Sequence, residues 1–156
     1  MIKNNVTRFL DSQGVPYTAC ELPAEKLSAL EAARFLGVDA EQVFKTIVVL
    51  REGHGKPILA VVPGPLEVDL KLLAKAVGEK KLLLATQRQA EQITGLLSGG
   101  ISPLALLNRG FEVVLDELSE LYEEIYISGG QRGLNIRLPT RSLIALTDAK
   151  LAGICT

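Results

Sequence analysis

Three segments of the sequence hold the residue types from which chemistry could be built. Lys45 stands in Phe44-Lys45-Thr46, at the mouth of a run that is otherwise apolar through Ile47, Val48, Val49 and Leu50. A lysine there is costly to desolvate, so it either snorkels its ammonium into water or serves an anionic ligand. Ser98-Gly99-Gly100-Ile101-Ser102-Pro103 puts two glycines ahead of a proline-fixed bend. Main-chain N–H groups in such a loop can face a ligand at close range, which is the form of an oxyanion or phosphate cradle and also of an ordinary tight loop. Ser102 offers a hydroxyl there, with no base in sight to activate it. Ser128-Gly129-Gly130-Gln131-Arg132-Gly133 contains Gly-x-x-Gly between two extended runs. It does not open a helix, so a Rossmann or P-loop reading is excluded and a hairpin turn remains. Arg132 within it is able to clamp a phosphate.

The rare residues remove most other chemistry. The single histidine, His54, lies in Glu52-Gly53-His54-Gly55-Lys56, a glycine-bracketed polar run that reads as a turn. A ring there has nothing to fix its tautomer, so Ser-His-Asp and Cys-His devices are disfavoured. Zinc needs three or four clustered N, S or O ligands, whereas the two cysteines, Cys20 and Cys155, stand at opposite ends of the chain. No metal or cofactor is expected. Two distant cysteines and no secretory leader fit semi-buried thiols in a reducing cytosol. No apolar run approaches the ~18 residues of a membrane span. The expected location is therefore the cytoplasm. Seventeen basic residues face 18 acidic ones, for a net charge of -1, yet Lys71, Lys75, Lys80, Lys81 and Arg88 cluster with only Glu79 opposing. That cluster is either a solvated face or a limited nucleic-acid contact.

These residues must be positioned by a chain of 156 residues, 47% apolar and 22% charged, a length and composition that fit one domain over residues 1–156. Val6, Phe9 and Leu10 have helical spacing and end at Gly14; Val15 to Leu22 reads as extended. Ser28 and Glu31 form a capping box for a helix that stops at Gly37, and Thr86 with Gln89 repeats it for one ending near Gly95. Asp69 caps a helix to Val77. Phe44–Leu50 and Ile58–Val62 flank the His54 turn as a hairpin, and Lys81–Ala85 is a short strand. Glu112–Leu115 is a strand, followed by a short helix from Asp116. Glu124–Ser128 and Leu134–Leu138 pair across the Gly-rich turn, Thr140 opens the last helix, and Ala152–Cys155 reads as a final strand. So many hairpin-linked strands favour an α+β fold with a mixed, curved, barrel-like sheet and peripheral helices over a doubly wound one.

Taken together, in this order and spacing, the segments resemble the YbaK/EbsC family. Its members are free-standing aminoacyl-tRNA deacylases, similar to the editing insertion of bacterial prolyl-tRNA synthetases. The resemblance runs over almost the whole chain and is carried by Glu31-Ala32-Ala33 through Leu36-Gly37, Val43-Phe44-Lys45-Thr46, and Asp69 to Lys75. Further carriers are Thr94-Gly95, Gly99-Gly100-Ile101-Ser102-Pro103-Leu104, Ser128-Gly129-Gly130 and Arg132-Gly133-Leu134. Lys45 matches the family's essential lysine, Gly99 and Pro103 its Gly-x-x-x-Pro loop, and Ser128 a serine lining the pocket. The resemblance implies Lys45, Gly99 and Gly100 as catalytic, and Thr46, Ser102, Pro103, Ser128, Gly129, Arg132, Leu22 and Ser28 as substrate-binding. Lys-Thr rather than Lys-Asn at the strand start is similar to the branch that clears cysteine.

The implied activity is trans-editing of Cys-tRNA(Pro), extending to Cys-tRNA(Cys), with proline tRNA and prolyl-tRNA synthetase as partners. The implied route has the substrate thiol attack its own ester carbonyl, which suits a sequence lacking nucleophile and base. Lys45 and the Gly99–Gly100 N–H groups then supply electrostatics and position. The rivals are an Ala-tRNA(Pro) deacylase using activated water and a non-catalytic tRNA- or nucleotide-binding module. Ala105 stands where the family has glycine after Ser-Pro-Leu, and Leu22 and Ser28 stand about where relatives have aromatic residues. Those departures bear on amino-acid choice more than on reaction class.

Overall fold

Capping side chains set the helix starts that the sequence announces. The structure, a computed structural model, describes residues 2–156. α1 (Asn5–Ser12) begins at Asn4, whose side chain accepts from the N–H of Thr7, and α2 (Ala29–Leu36) begins at Ser28 in a full capping box with Glu31. α3 (Leu70–Val77) is capped by Asp69, and α4 (Gln87–Thr94) by Thr86 with Gln89. Gly37, Gly78 and Gly95 end three of them in the left-handed conformation expected of a C-cap. The segment after Asp116 is a 3-10 helix, Glu117–Leu121, and α5 (Thr140–Thr147) follows the last hairpin. No helix among the described residues is long and apolar enough to cross a membrane.

The strands form two sheets. β1 (Thr18–Glu21), β7 (Leu134–Pro139) and β6 (Glu124–Ser128) make an antiparallel sheet in the order β1-β7-β6. β2 (Phe44–Arg51), β3 (Ile58–Pro63), β4 (Leu82–Leu84), β5 (Glu112–Asp116) and β8 (Lys150–Ala152) make a second sheet in the order β4-β2-β3-β5-β8. The β2–β3 hairpin expected around His54 is present, with Phe44 opposite Pro63, and the β3–β5 and β5–β8 pairs are parallel. The α+β class and the mixed sheet are therefore as expected. The curved sheet is divided in two and does not close; a parallel bridge from Val43 to Tyr126 joins its parts. The last strand also falls earlier than expected. Lys150–Ala152 pairs with β5, while Cys155 makes only an isolated bridge to Val68.

Period-2 alternation divides the smaller sheet's faces. Leu134, Ile136 and Leu138 of β7, with Ile125 and Ile127 of β6, join Leu10, Phe44, Leu59 and Leu115 in the main core. Truncating a side chain such as Ile127, fully buried there, would cost about 2–5 kcal/mol. The opposite face carries Tyr126, which packs with Ala32 and Ala33 of α2, and Cys20 and Leu22 lie against the same cluster. α2 thus covers a sheet face that alternation alone would assign to solvent. The gap between that helix, this face and the start of β2 holds the site.

Candidate functional site

Lys45 is the second residue of β2, where the strand emerges beside the Val43–Tyr126 bridge that joins the sheets. Its side chain is 23% exposed, and Nζ donates to Glu67 Oε1 at 3.3 Å; the Glu67 side chain is 81% exposed. An exposed pair of this kind contributes about 0–1 kcal/mol, so Glu67 can leave when a better anion arrives. Around Lys45 opens a cavity of about 430 Å³, lined also by Leu22, Ser28, Thr46, Gly99, Ser128 and Asn135.

The structure therefore brings Lys45, Thr46, Gly99, Ser128, Leu22 and Ser28 together from five separate stretches of chain. Ser28 is tied to its helix, its Oγ accepting from the N–H of Glu31 at 3.1 Å. Ser128 Oγ accepts from the N–H of Gly130 at 3.2 Å, which leaves its hydroxyl proton available to a ligand.

Gly100, Ser102, Pro103, Gly129 and Arg132 stand behind this wall and do not line the cavity. The expectation that Gly100 contributes a free N–H is corrected here: that N–H donates to Leu97 O at 2.8 Å, closing a turn. A Cβ on Gly100 would lie 2.9 Å from Gln131 Cα, so the glycine lets the loop rest on the neighbouring turn. Ser102 is fully buried, and its Oγ accepts from the N–H of Leu104 at 3.2 Å, capping the 3-10 turn that Pro103 opens. Its hydroxyl serves this turn and does not line the cavity. Gly129 donates its N–H to Leu134 O at 2.9 Å within the hairpin end. Arg132 is engaged by the loop, its Nε donating to Ser98 O at 2.7 Å.

Gly99 has a φ of +89°, a left-handed conformation that glycine adopts without strain. Its N–H has no hydrogen-bond partner among the described residues, so the loop presents one open main-chain donor beside the cavity.

Asn135 was not singled out in the sequence. It sits in β7 between Cys20 of β1 and Ser128 of β6, directly opposite each, so the three side chains share the α2-covered face. It is 7% exposed, lines the cavity, and its Oδ1 has no hydrogen-bond partner. A buried acceptor left empty is costly in the free protein and calls for a donor from a ligand. The available signal was a polar residue flanked by Leu134 and Ile136, but alternation gives the same signal for any solvent-facing position.

The cysteines are free and half-buried. Burial pushes the Cys20 thiol up, and burial with the hydrogen bond to Asp116 pushes Cys155 to about 12. Neither is a thiolate near neutral pH, so neither is a ready nucleophile. His54 lies exposed in the β2–β3 connection.

Residues 24–146 match the family described as the aminoacyl-tRNA editing domain. The chain belongs to the aminoacyl-tRNA editing domain family. Among curated relatives, the Enterococcus faecalis protein EbsC, which carries the name of a Cys-tRNA(Pro)/Cys-tRNA(Cys) deacylase, is 36% identical over 156 residues, 99% of this chain and 94% of that one. Proline–tRNA ligase of Thermodesulfovibrio yellowstonii is 33% identical over 109 residues, 69% of this chain but 18% of the ligase. Among solved structures, one described as a trans-editing enzyme for prolyl-tRNA synthetase superposes with a TM-score of 0.83 at 29% identity, covering 100% of this chain and 99% of that one. The hypothetical protein APE2540 shares the fold, with a TM-score of 0.89 at 24% identity over 98% of this chain and 100% of that one. The editing-domain match spans Lys45, Gly99, Ser128 and Asn135, so all four belong to the segment that this family shares.

Proposed function

We propose that the protein is a trans-editing aminoacyl-tRNA deacylase that clears cysteine from mischarged proline tRNA, acting in the cytoplasm beside prolyl-tRNA synthetase. The observation that carries the reading is one cavity in which a lysine, an open main-chain donor, a serine hydroxyl and an empty buried acceptor converge, with no histidine or cysteine in its lining. Its membership of the editing family and its 36% identity to EbsC support the substrate class.

The chemistry follows from what is missing. The sulfur of the substrate cysteine attacks its own ester carbonyl carbon, and the carbonyl oxygen takes up negative charge. The bond from that carbon to the terminal ribose oxygen then breaks. The ribose oxygen receives the proton lost by the thiol, leaving tRNA and a cyclic thioester. The Gly99 N–H faces the developing oxyanion; one preorganised donor of this kind contributes about 3 kcal/mol, two orders of magnitude in rate. Lys45 exchanges Glu67 for substrate negative charge, and Asn135 Oδ1 accepts from the amino end of the aminoacyl group. Thr46, Leu22 and Ser28 shape the space around it, and holding the chain in its cyclising conformation adds a proximity effect.

Selectivity by size alone separates neighbouring amino acids by about 1–3 kcal/mol. Attack by the substrate thiol separates them by nucleophilicity, because alanine has none to offer and the hydroxyl of serine is far weaker.

The basic residues Lys71, Lys75, Lys80, Lys81 and Arg88 are all exposed and supply a small phosphate-binding face. So few contacts hold tRNA weakly and in a salt-dependent way, which is the reason for placing the synthetase as a partner.

The test is a deacylation panel on Cys-, Ala-, Ser- and Pro-charged proline tRNA with wild type and Lys45→Ala. Fast turnover of the cysteine ester alone is expected, falling about 100-fold in the variant. Comparable rates on Cys, Ala and Ser would overturn the thiol route in favour of activated water. No turnover on any ester would leave a binding module.

A further inference from the structure

Arg132 does not touch the cavity, yet it holds the back of the peptide that presents the site's open donor. The carbonyl of Ser98 and the N–H of Gly99 belong to one peptide unit, and no peptide bond among the described residues is cis. In a planar trans unit these two groups point in opposite directions. Arg132 Nε donates to the Ser98 carbonyl at 2.7 Å, so the Gly99 N–H leaves the opposite edge. A cation-assisted bond on the carbonyl also draws electron density from the nitrogen and makes its N–H a stronger donor.

The neighbouring peptides are held as well. The N–H of Ser98 donates to Glu91 Oε2 at 2.8 Å, and the N–H of Gly100 donates to Leu97 O at 2.8 Å. The bond from Ser98 is the main reason that the Glu91 carboxyl lies below its ordinary range, with the Arg132 charge helping. Of the three successive amides, only that of Gly99 is left without a partner among the described residues. A glycine at a left-handed φ is otherwise free to swing, so an external hold is what a defined donor direction requires.

We propose that Arg132 is a positioning residue that acts through the Ser98–Gly99 peptide, aiming and strengthening the Gly99 N–H toward the oxygen of the substrate ester carbonyl. The inference rests on the deacylase reading above, and it replaces the phosphate clamp expected of Arg132 from the sequence. Glu91 shares the task by fixing the preceding peptide.

The test compares wild type, Arg132→Met and Arg132→Lys in steady-state deacylation of Cys-charged proline tRNA, with thermal melts as a folding control. Arg132→Met is expected to lower kcat about 10-fold with KM unchanged, because the donor matters most once charge has developed. Arg132→Lys restores part of kcat, since a cation again faces the carbonyl. An unchanged kcat overturns the proposal, and so does a rise in KM alone, which would make Arg132 a phosphate contact. Should Arg132→Met fail to fold, Arg132→Gln takes its place with the same outcomes. A second readout needs no turnover: the amide nitrogen resonance of Gly99 in the free protein should move upfield in Arg132→Met and return toward wild type in Arg132→Lys. A resonance that stays put overturns the proposal even in an active enzyme. If wild type turns over no ester, the deacylase reading fails, and the resonance still decides whether Arg132 holds this peptide.

Discussion

Replacing Asn135 by leucine should make the protein more stable and less active at once. Asn135 is 7% exposed, and its Oδ1 has no partner, so the free protein carries the desolvation cost of an empty acceptor, about 1–3 kcal/mol. Leucine has a similar volume, no polar group to strand, and a better fit to the half-apolar face that Tyr126, Cys20 and Leu22 share with α2. Recovering about 1 kcal/mol or more in a chain of this length raises Tm by about 2–4 °C per kcal/mol. The same change removes the acceptor offered to the substrate, a bond contributing about 1–1.5 kcal/mol, so kcat/KM on Cys-charged proline tRNA should fall about 10-fold. Thermal unfolding followed by circular dichroism, beside a deacylation assay, reads both. A lower Tm with undiminished kcat/KM would refute the reasoning, because Asn135 would then be a satisfied structural residue. Stability gained at the cost of function is the pattern expected where a site is held in readiness for a ligand.

Other perturbations address the thiols and the basic face. Cys155 is raised from an ordinary value of 9.0 to about 12 in the folded protein, so its neutral form stabilises the fold below pH 9, and that contribution is lost as pH rises toward 12. A pH series of melts should show alkaline loss over that window that is smaller in Cys155→Ala; identical profiles would remove Cys155 as the cause. Both thiols should react slowly with iodoacetamide at pH 7.5, and Cys20→Ser with Cys155→Ser should keep kcat, whereas a large loss would return a cysteine to the mechanism. Reversing Lys71 and Lys75 to glutamate should raise KM for tRNA, leave kcat unchanged and flatten the salt dependence of KM by about one unit of log–log slope per lost phosphate contact. An unchanged slope would place the tRNA elsewhere.

Much of the frame was legible in the sequence because it rests on local rules. Ser28 with Glu31, Asp69, and Thr86 with Gln89 start helices where their side chains can satisfy the first orphan N–H groups, and Gly37, Gly78 and Gly95 end them. The β2–β3 and β6–β7 hairpins followed from β-rich runs around turn residues. Short elements and parallel pairings were harder. Lys150–Ala152 pairs with β5, whereas of the expected strand Ala152 to Cys155 only Ala152 lies in that ladder, and Cys155 makes an isolated bridge to Val68. The segment after Asp116 tightened to a 3-10 helix, which differs from an α-helix by little over five residues.

The site divides in the same way. Lys45, Gly99 and Ser128 were legible because each breaks a local pattern: a charge opening an apolar strand, a glycine pair before a proline, and a serine at a glycine-rich turn. Gly100, Ser102 and Arg132 looked equally unusual, yet the tertiary structure spends them on a turn, a cap and the Ser98 carbonyl. Their groups were visible in the sequence, but their partners were not. Asn135 is the reverse case. Alternation along Leu134, Ile136 and Leu138 fixes which face of β7 it occupies, and by itself that face reads as solvent. Only the packing of α2 over that face buries Asn135 and leaves its Oδ1 without a donor, because the covering helix comes from a part of the chain that no local rule links to it.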